Sequence, residues 1–151
     1  MIYLASDHRG FGLKNKLIEF LGNAKIEFKD LGNTVYDKDD DLSDFASKVG
    51  EKISKNSKKD KGIVICGTGI AASIVSNKFK NVRASLCMTV SVAKQSREHM
   101  DANVICLAAD LTDPSVAWMI VKKWLTTESL TDKRYTDRLK KIKDIEKNNF
   151  K

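Results

Sequence analysis

Long hydrophobic runs, paired cysteines, prolines and aromatics are all scarce in this chain, and each scarcity excludes something. No apolar run approaches the ~18 residues that a membrane span needs. The opening MIYLASDH has neither the basic start nor the apolar stretch of a secretory leader, and reads as a buried strand beginning at once. Three cysteines, Cys66, Cys87 and Cys106, are odd in number and widely spaced. They fit reduced thiols in a cytoplasmic protein, not a disulfide frame or a zinc site. Aromatics are 7% of residues, with no interleaved row of rings on which bases could stack. Pro114 is the only proline, so helices elsewhere are uninterrupted.

What is present suits one compact unit. A chain of 151 residues that is 42% hydrophobic can bury one sizeable core, so a single domain over 1–151 is expected. The net charge of +7 is spread along the chain and mixed with acids. Its densest run, Arg134 to Lys147, alternates in sign as a solvated helix face does, so no specific nucleic-acid partner and no membrane partner are expected.

Short apolar runs alternate with amphipathic stretches. Strands are expected at Met1–Ala5, Ile26–Leu31, Gly62–Ile65, Val82–Cys87 and Asn103–Ala108. Helices are expected at Gly10–Phe20, Leu42–Ile53, Ile70–Phe79, Val90–Arg97, around Val116–Leu125 and from about Thr131 to Asn148. Pro114 sits at the first turn of the fifth helix. This pattern is α/β: a five-stranded parallel sheet between two helical layers, a Rossmann-like three-layer sandwich with an extra C-terminal helix. The polar stretch Asn33 to Asp41 is the expected mobile segment. Ligands in such sheets bind beyond the carboxyl ends of the strands. The residues to watch are therefore Ser6-Asp7-His8-Arg9, Cys66-Gly67-Thr68-Gly69, Met88-Thr89 and Ala109-Asp110.

The stretch IVICGTGIAAS, residues 63–73, carries the strongest local signal. Gly67, Gly69 and Ala72 fit G-x-G-x-x-A, a dinucleotide fingerprint. That fingerprint wants the first strand and an acid about 20 residues on. Here the loop follows the third strand, and the residue twenty on from Gly67 is Cys87. The same glycine turn, opening a helix, also offers free N–H groups and a positive dipole end to a phosphate or a developing oxyanion. Cys66 at that end is a candidate thiolate base, whereas Cys106, without following glycines, reads as inert core. His8, in SDHRG, and His99, in SREHMDAN, are the only histidines and candidates for proton transfer. Both are expected near the carboxyl end of the sheet.

Four ordered blocks together resemble the ribose-5-phosphate isomerase B family, which includes the galactose-6-phosphate isomerase subunits. ICGTGIAASIVSNKFKNVRASLC is close to the family's C-G-T-G-x-G-x-S-I-x-A-N-K followed by x-R-A. SDHRGFGLK matches S-D-H-x-G-x-x-L-K, SREHMDANVI resembles S-R-x-H-N-D-A-N-V, and KRYTDRLKKI resembles G-R-H-x-x-R-V-x-x-I. The resemblance implies an aldose–ketose isomerase of a sugar phosphate, most simply ribose 5-phosphate, without metal or other cofactor. It implies a homodimer or tetramer whose active sites are shared between chains, with the last helix used in oligomer contacts. By position, Cys66 would move the proton between C2 and C1, Thr68 would help between the oxygens, and His99 would open the ring. Asp7 and His8 would contact substrate. Gly67, Gly69 and Ser73 would form the anion hole, with Ala71 in place of the family's second loop glycine. Arg134 and Arg138, four apart on one helix face, would hold the phosphate from the neighbouring chain.

Several positions depart from that pattern. Met100 replaces an asparagine, Asp110 an arginine and Tyr135 a histidine, and Asp41-Leu42-Ser43 stands for D-Y-P. If Ala71 needed a positive φ, its Cβ would cost ~1 kcal/mol. These changes touch substrate contacts more than Cys66, Thr68 or His99. An isomerase of another pentose or hexose phosphate (galactose 6-phosphate or allose 6-phosphate type), or a weakly active or non-catalytic sugar-phosphate-binding subunit, therefore remains an alternative.

Overall fold

The computed structural model describes residues 1–150, so Lys151, the last residue of the expected domain, lies outside the described residues. Five strands alternate with helices: β1 (Ile2–Ser6), α1 (Phe11–Asn23), β2 (Phe28–Asp30), α2 (Leu42–Lys55), β3 (Lys61–Cys66), α3 (Ile70–Ser76), β4 (Ala84–Leu86), α4 (Val90–Met100), β5 (Val104–Ala108), α5 (Pro114–Thr126) and α6 (Lys133–Asn149). The sheet is parallel throughout, in the order β2-β1-β3-β5-β4.

Alternation along the strands divides the core. Leu4, Ile63, Ile65, Ile105 and Leu107 face α1, α4 and α5, where Leu17, Ala93, Ile120 and Trp124 meet them. Ala5, Val64, Cys66, Val104 and Cys106 face α2 and α3, against Ala46, Val49, Ile53 and Ala72. Both faces are covered, which is why the central strands read as unbroken apolar runs. A Leu or Ile with no exposed surface contributes about 1.5–3 kcal/mol relative to exposure.

The edge strands are shorter than their sequence implies. β2 and β4 each keep three residues of a six-residue run. Each has only one neighbour, and its pairing covers three residues although β1 runs on to Ser6 and β5 to Ala108. Helix starts follow local chemistry: Asp41 caps α2 by accepting the Ser43 N–H at 2.7 Å, Thr89 caps α4, and Asp113 caps α5 with Pro114 in its first turn.

Two features position the site. β1 and β3 are neighbours, but the chain leaves β1 toward β2 and leaves β3 toward β4, on opposite sides. The crevice between them is a topological switch point, where such sheets bind ligands. At the other end of the molecule, α6 has no buried residue; it packs on α4, and Glu146 accepts the backbone N–H of Asn81 at 2.8 Å. No described helix is long and apolar enough to cross a membrane.

Candidate active site

The loops after β1 and β3 meet at the switch point. After β1, Asp7 is buried, and its Oδ1 accepts the N–H of Gly10 at 2.9 Å. One carboxylate oxygen thus holds the turn that starts α1. A side chain at Gly10 would press on the carbonyl of Ile65, so glycine lets this loop lie against the end of β3. Asp40 accepts from both the backbone N–H and Nδ1 of His8, at 2.9 and 2.7 Å, and from the Asn33 amide at 2.6 Å. The segment expected to be mobile is therefore pinned at both ends by one carboxylate.

That contact sets charge. The hydrogen bond to Asp40 raises the His8 pKa above its ordinary 6.5, against a smaller lowering by desolvation. Desolvation pulls Asp40 upward, but the bonds from His8 and Asn33 together outweigh it and hold the carboxyl below its ordinary value. His8 so oriented has Nδ1 engaged by Asp40, with Nε2 on the opposite side of the ring.

After β3, Cys66 ends the strand and Gly69 caps α3. Gly69 has φ +74°, the left-handed region that glycine occupies without Cβ strain. This turn folds its N–H back onto the Cys66 Sγ at 3.1 Å, so the sulfur faces the loop's donors. Thr68 is exposed in the same turn. Ala71 lies within α3 and is not among the positive-φ residues, so the cost feared for its Cβ does not arise. Ser73 follows in the same helix, its N–H bonded to the Gly69 carbonyl. The other two thiols are core: burial pushes both Cys87 and Cys106 up, and Cys106 strongly.

The structure overturns one expectation. His99 does not lie at the carboxyl end of the sheet. Helix α4 starts there and runs back antiparallel, ending at Met100 beside the amino end of β5. Eleven residues of helix separate the two ends by about 16 Å, so His99 and Cys66 of one chain cannot share a small ligand. At its own end His99 stacks flat on Tyr135, centroids 4.7 Å apart, and the Arg138 guanidinium lies 5.8 Å from the same ring. Arg134 is exposed one residue before Tyr135. The candidate residues thus form two clusters on one chain: Asp7, His8, Cys66, Gly67, Thr68, Gly69, Ala71 and Ser73 at the carboxyl end, and His99, Arg134 and Arg138 at the amino end.

A groove of about 360 Å³ also lies at the amino end, between α6 and the loops around Lys58, Arg83 and Asp101; Cys66 does not line it. Among the described residues no group of three or more His, Cys, Asp and Glu side chains is placed to hold a metal ion. Sequence reasoning missed Asp40, which looks like any acid in a polar loop, and the partnership of Arg9 with Asp110, 101 residues apart. It saw Tyr135 only as a departure, without its stacking on His99.

Residues 2–142 match the profile of a family described as ribose/galactose isomerase. Among solved structures, the chain is similar to ribose-5-phosphate isomerase B from Mycoplasma genitalium with bound ribulose 5-phosphate. They share 39% identity over 97% of this chain and 95% of that one, with a TM-score of 0.93. It is similar to ribose-5-phosphate isomerase B from Clostridium thermocellum at 38% identity, over 98% of each chain, with a TM-score of 0.91. Ribose-5-phosphate isomerase B of Escherichia coli (strain K12) is 34% identical over 145 residues, 96% of this chain and 95% of that protein. Fold and sequence agree along nearly the whole length, and they define an aldose–ketose isomerase acting on a sugar phosphate. The chain belongs to the ribose/galactose isomerase family.

Proposed function

We propose that this chain is a single-domain, cytoplasmic ribose-5-phosphate isomerase that interconverts ribose 5-phosphate and ribulose 5-phosphate in sites shared between two copies of itself. The observation that carries the shared site is the separation of Cys66 from His99 along α4. Ring opening and C2 deprotonation need an acid/base group and a base around one small sugar. An assembly that sets the amino-end cluster of one copy against the carboxyl-end loops of another supplies both. Exposed apolar side chains beside the loop support such an assembly: Ile70 and Ile74 one turn apart on α3, and Met88 and Val92 at the start of α4.

In that site His99 opens the ring, and Cys66 takes the C2 proton and returns it to C1. Thr68 assists transfer between the adjacent oxygens. The backbone donors of Gly67 and Ala71 and the hydroxyl of Ser73 stabilise the enediolate oxygen, which bears its charge only during reaction, and Gly69 shapes the turn that presents them. Asp7 and His8 border the sugar. Arg134 and Arg138 of the other copy, with α6 as the contact helix, anchor the phosphate and orient the distant reacting carbons. Three free, buried cysteines support the cytoplasmic reading.

The test is a panel of pentose and hexose phosphates, with exchange of the C2 proton followed in deuterated water. Ribose 5-phosphate should exchange fastest. Faster exchange with a hexose 6-phosphate would transfer the reading to that sugar, and no exchange with any of them would overturn it.

A further inference from the structure

We propose that Arg9 is a phosphate-binding residue on the Cys66 side of the site, aimed by Asp110, an inference that rests on the sugar-phosphate reading above. Arg9 follows His8 in the loop after β1, yet its guanidinium crosses the switch-point crevice. It lies over Gly67 in the loop after β3, where any Cβ would overlap it. Its Nη2 donates to Asp110 Oδ2, beyond β5. Asp110 is in turn fixed to the glycine loop, because its backbone N–H donates to the Gly67 carbonyl at 3.0 Å. One side chain therefore spans the three strand ends that form the floor of the site.

Stability does not account for this arrangement. Arg9 and Asp110 are 52% and 38% exposed, and exposed ion pairs add little to a fold. Charge accounts for it better. The carboxyl-end cluster is otherwise rich in acids, with Asp7, Asp40 and Asp110 near the crevice, and these repel a phosphate dianion. Arg9 places a permanent positive charge among them. The carboxylate of Asp110 takes one N–H of Nη2, and the guanidinium retains the second Nη2 hydrogen and the N–H groups of Nε and Nη1 as donors to phosphate oxygens. Asp110 thus positions the fork, and the missing side chain of Gly67 gives it room. In the two-copy site, Arg9 grips the phosphate from one side and the other copy's Arg134 and Arg138 from the other.

The full chain carrying Cys66→Ala, which cannot turn substrate over, is titrated calorimetrically with inorganic phosphate and with ribose 5-phosphate. Adding Arg9→Ala should weaken both by about 10- to 100-fold, the usual loss for a charge-assisted pair. Arg9→Lys should recover part of the loss. In the active chain, Arg9→Ala should raise KM by the same factor with kcat within about threefold, as expected when ground-state and transition-state binding fall together. Asp110→Ala should raise KM about tenfold, whereas Asp110→Asn, whose amide oxygen still accepts from Nη2, should stay near wild type. A thermal melt of each variant separates lost binding from lost folding. Unchanged phosphate affinity and KM in Arg9→Ala, in an enzyme that still isomerises, would overturn the role of Arg9 alone. Phosphate binding that depends on Arg9 in a chain that turns over no sugar phosphate would uphold Arg9 and overturn the isomerase reading. No phosphate binding by the Cys66→Ala chain would overturn both.

Discussion

The two ends of the sheet carry the two candidate clusters, and they are built differently. At the carboxyl end, the side chains hang from turns locked by backbone geometry: Gly69 at positive φ, Asp7 on the Gly10 N–H, Asp40 clamping His8. Cys66 is 4% exposed, and its sulfur is already hydrogen-bonded. At the amino end, His99 stacks on Tyr135, Arg138 lies beside the same tyrosine ring, and no residue of α6 is fully buried. The first cluster is organised by its own chain before any ligand arrives. The second is a stacked set of rings and guanidinium groups presented outward. This contrast fits the proposed division of the site between copies, in which one end would serve as a fixed reaction floor and the other as an arm for a neighbour's site.

The largest effect expected concerns the floor. Cys66→Ala should lower turnover of ribose 5-phosphate by at least about 10³-fold, within the usual range for a lost acid/base group, with the melting temperature nearly kept. Turnover within tenfold of wild type would remove the thiol from the chemistry. His99→Ala should lose about 10²- to 10³-fold. It also offers a sharper trial of the divided site. Cys66→Ala and His99→Ala chains, each inactive, should regain activity when unfolded together and refolded. In random dimers, half are mixed and each mixed dimer has one of two sites whole, so about a quarter of wild-type turnover is expected. No recovery would mean that thiol and histidine do not act across an interface.

Gly69→Ala probes the locked backbone. A Cβ at φ +74° is strained and would also overlap Leu86, so a loss of about 1–3 kcal/mol is expected by denaturant titration, with kcat falling alongside. An alanine variant as stable as wild type would show that the turn is not held in that conformation. The gentlest probe is Asp40→Asn. The His8 pKa is raised in the folded chain, so the His8–Asp40 contact stabilises fully below His8's ordinary 6.5 and fades as pH climbs through the raised value. Asp40 is lowered, so its share persists above 3.8 and is lost as pH falls through the folded value. The stability gap between wild type and Asp40→Asn should be widest between these limits and shrink as pH rises through the raised His8 value. By proton NMR, the His8 ring should titrate at lower pH in the variant. A gap that widens toward alkaline pH would contradict the assigned contact.

Much of the fold could be read from one-dimensional pattern. Apolar runs of strand length, covered on both faces, and amphipathic stretches of helical period placed all five strands and six helices within a few residues. The glycine turn after Cys66 could be read because it depends on local φ and on residue order. The misplacement of His99 has an equally physical origin. Its motif names the residue but not its end of the sheet, and an antiparallel return through α4 moves it a helix length from the strand that precedes it. The shortening of β2 and β4 likewise depended on how many neighbours each strand has, a property of the sheet and not of the strand.

Sequence by itself determined the layers, the parallel order of strand and helix, the glycine-bounded thiol and the family. These follow from periodicity and short-range sterics, which act over a few residues. Only the tertiary structure decided that His8 is held by Asp40, that Arg9 reaches Asp110 across the glycine loop, and that thiol and ring-stacked histidine face opposite ends of the sheet. Those contacts join residues 32 to 101 positions apart or depend on which way a helix returns, and no local pattern encodes either until the sheet has brought the strand ends together.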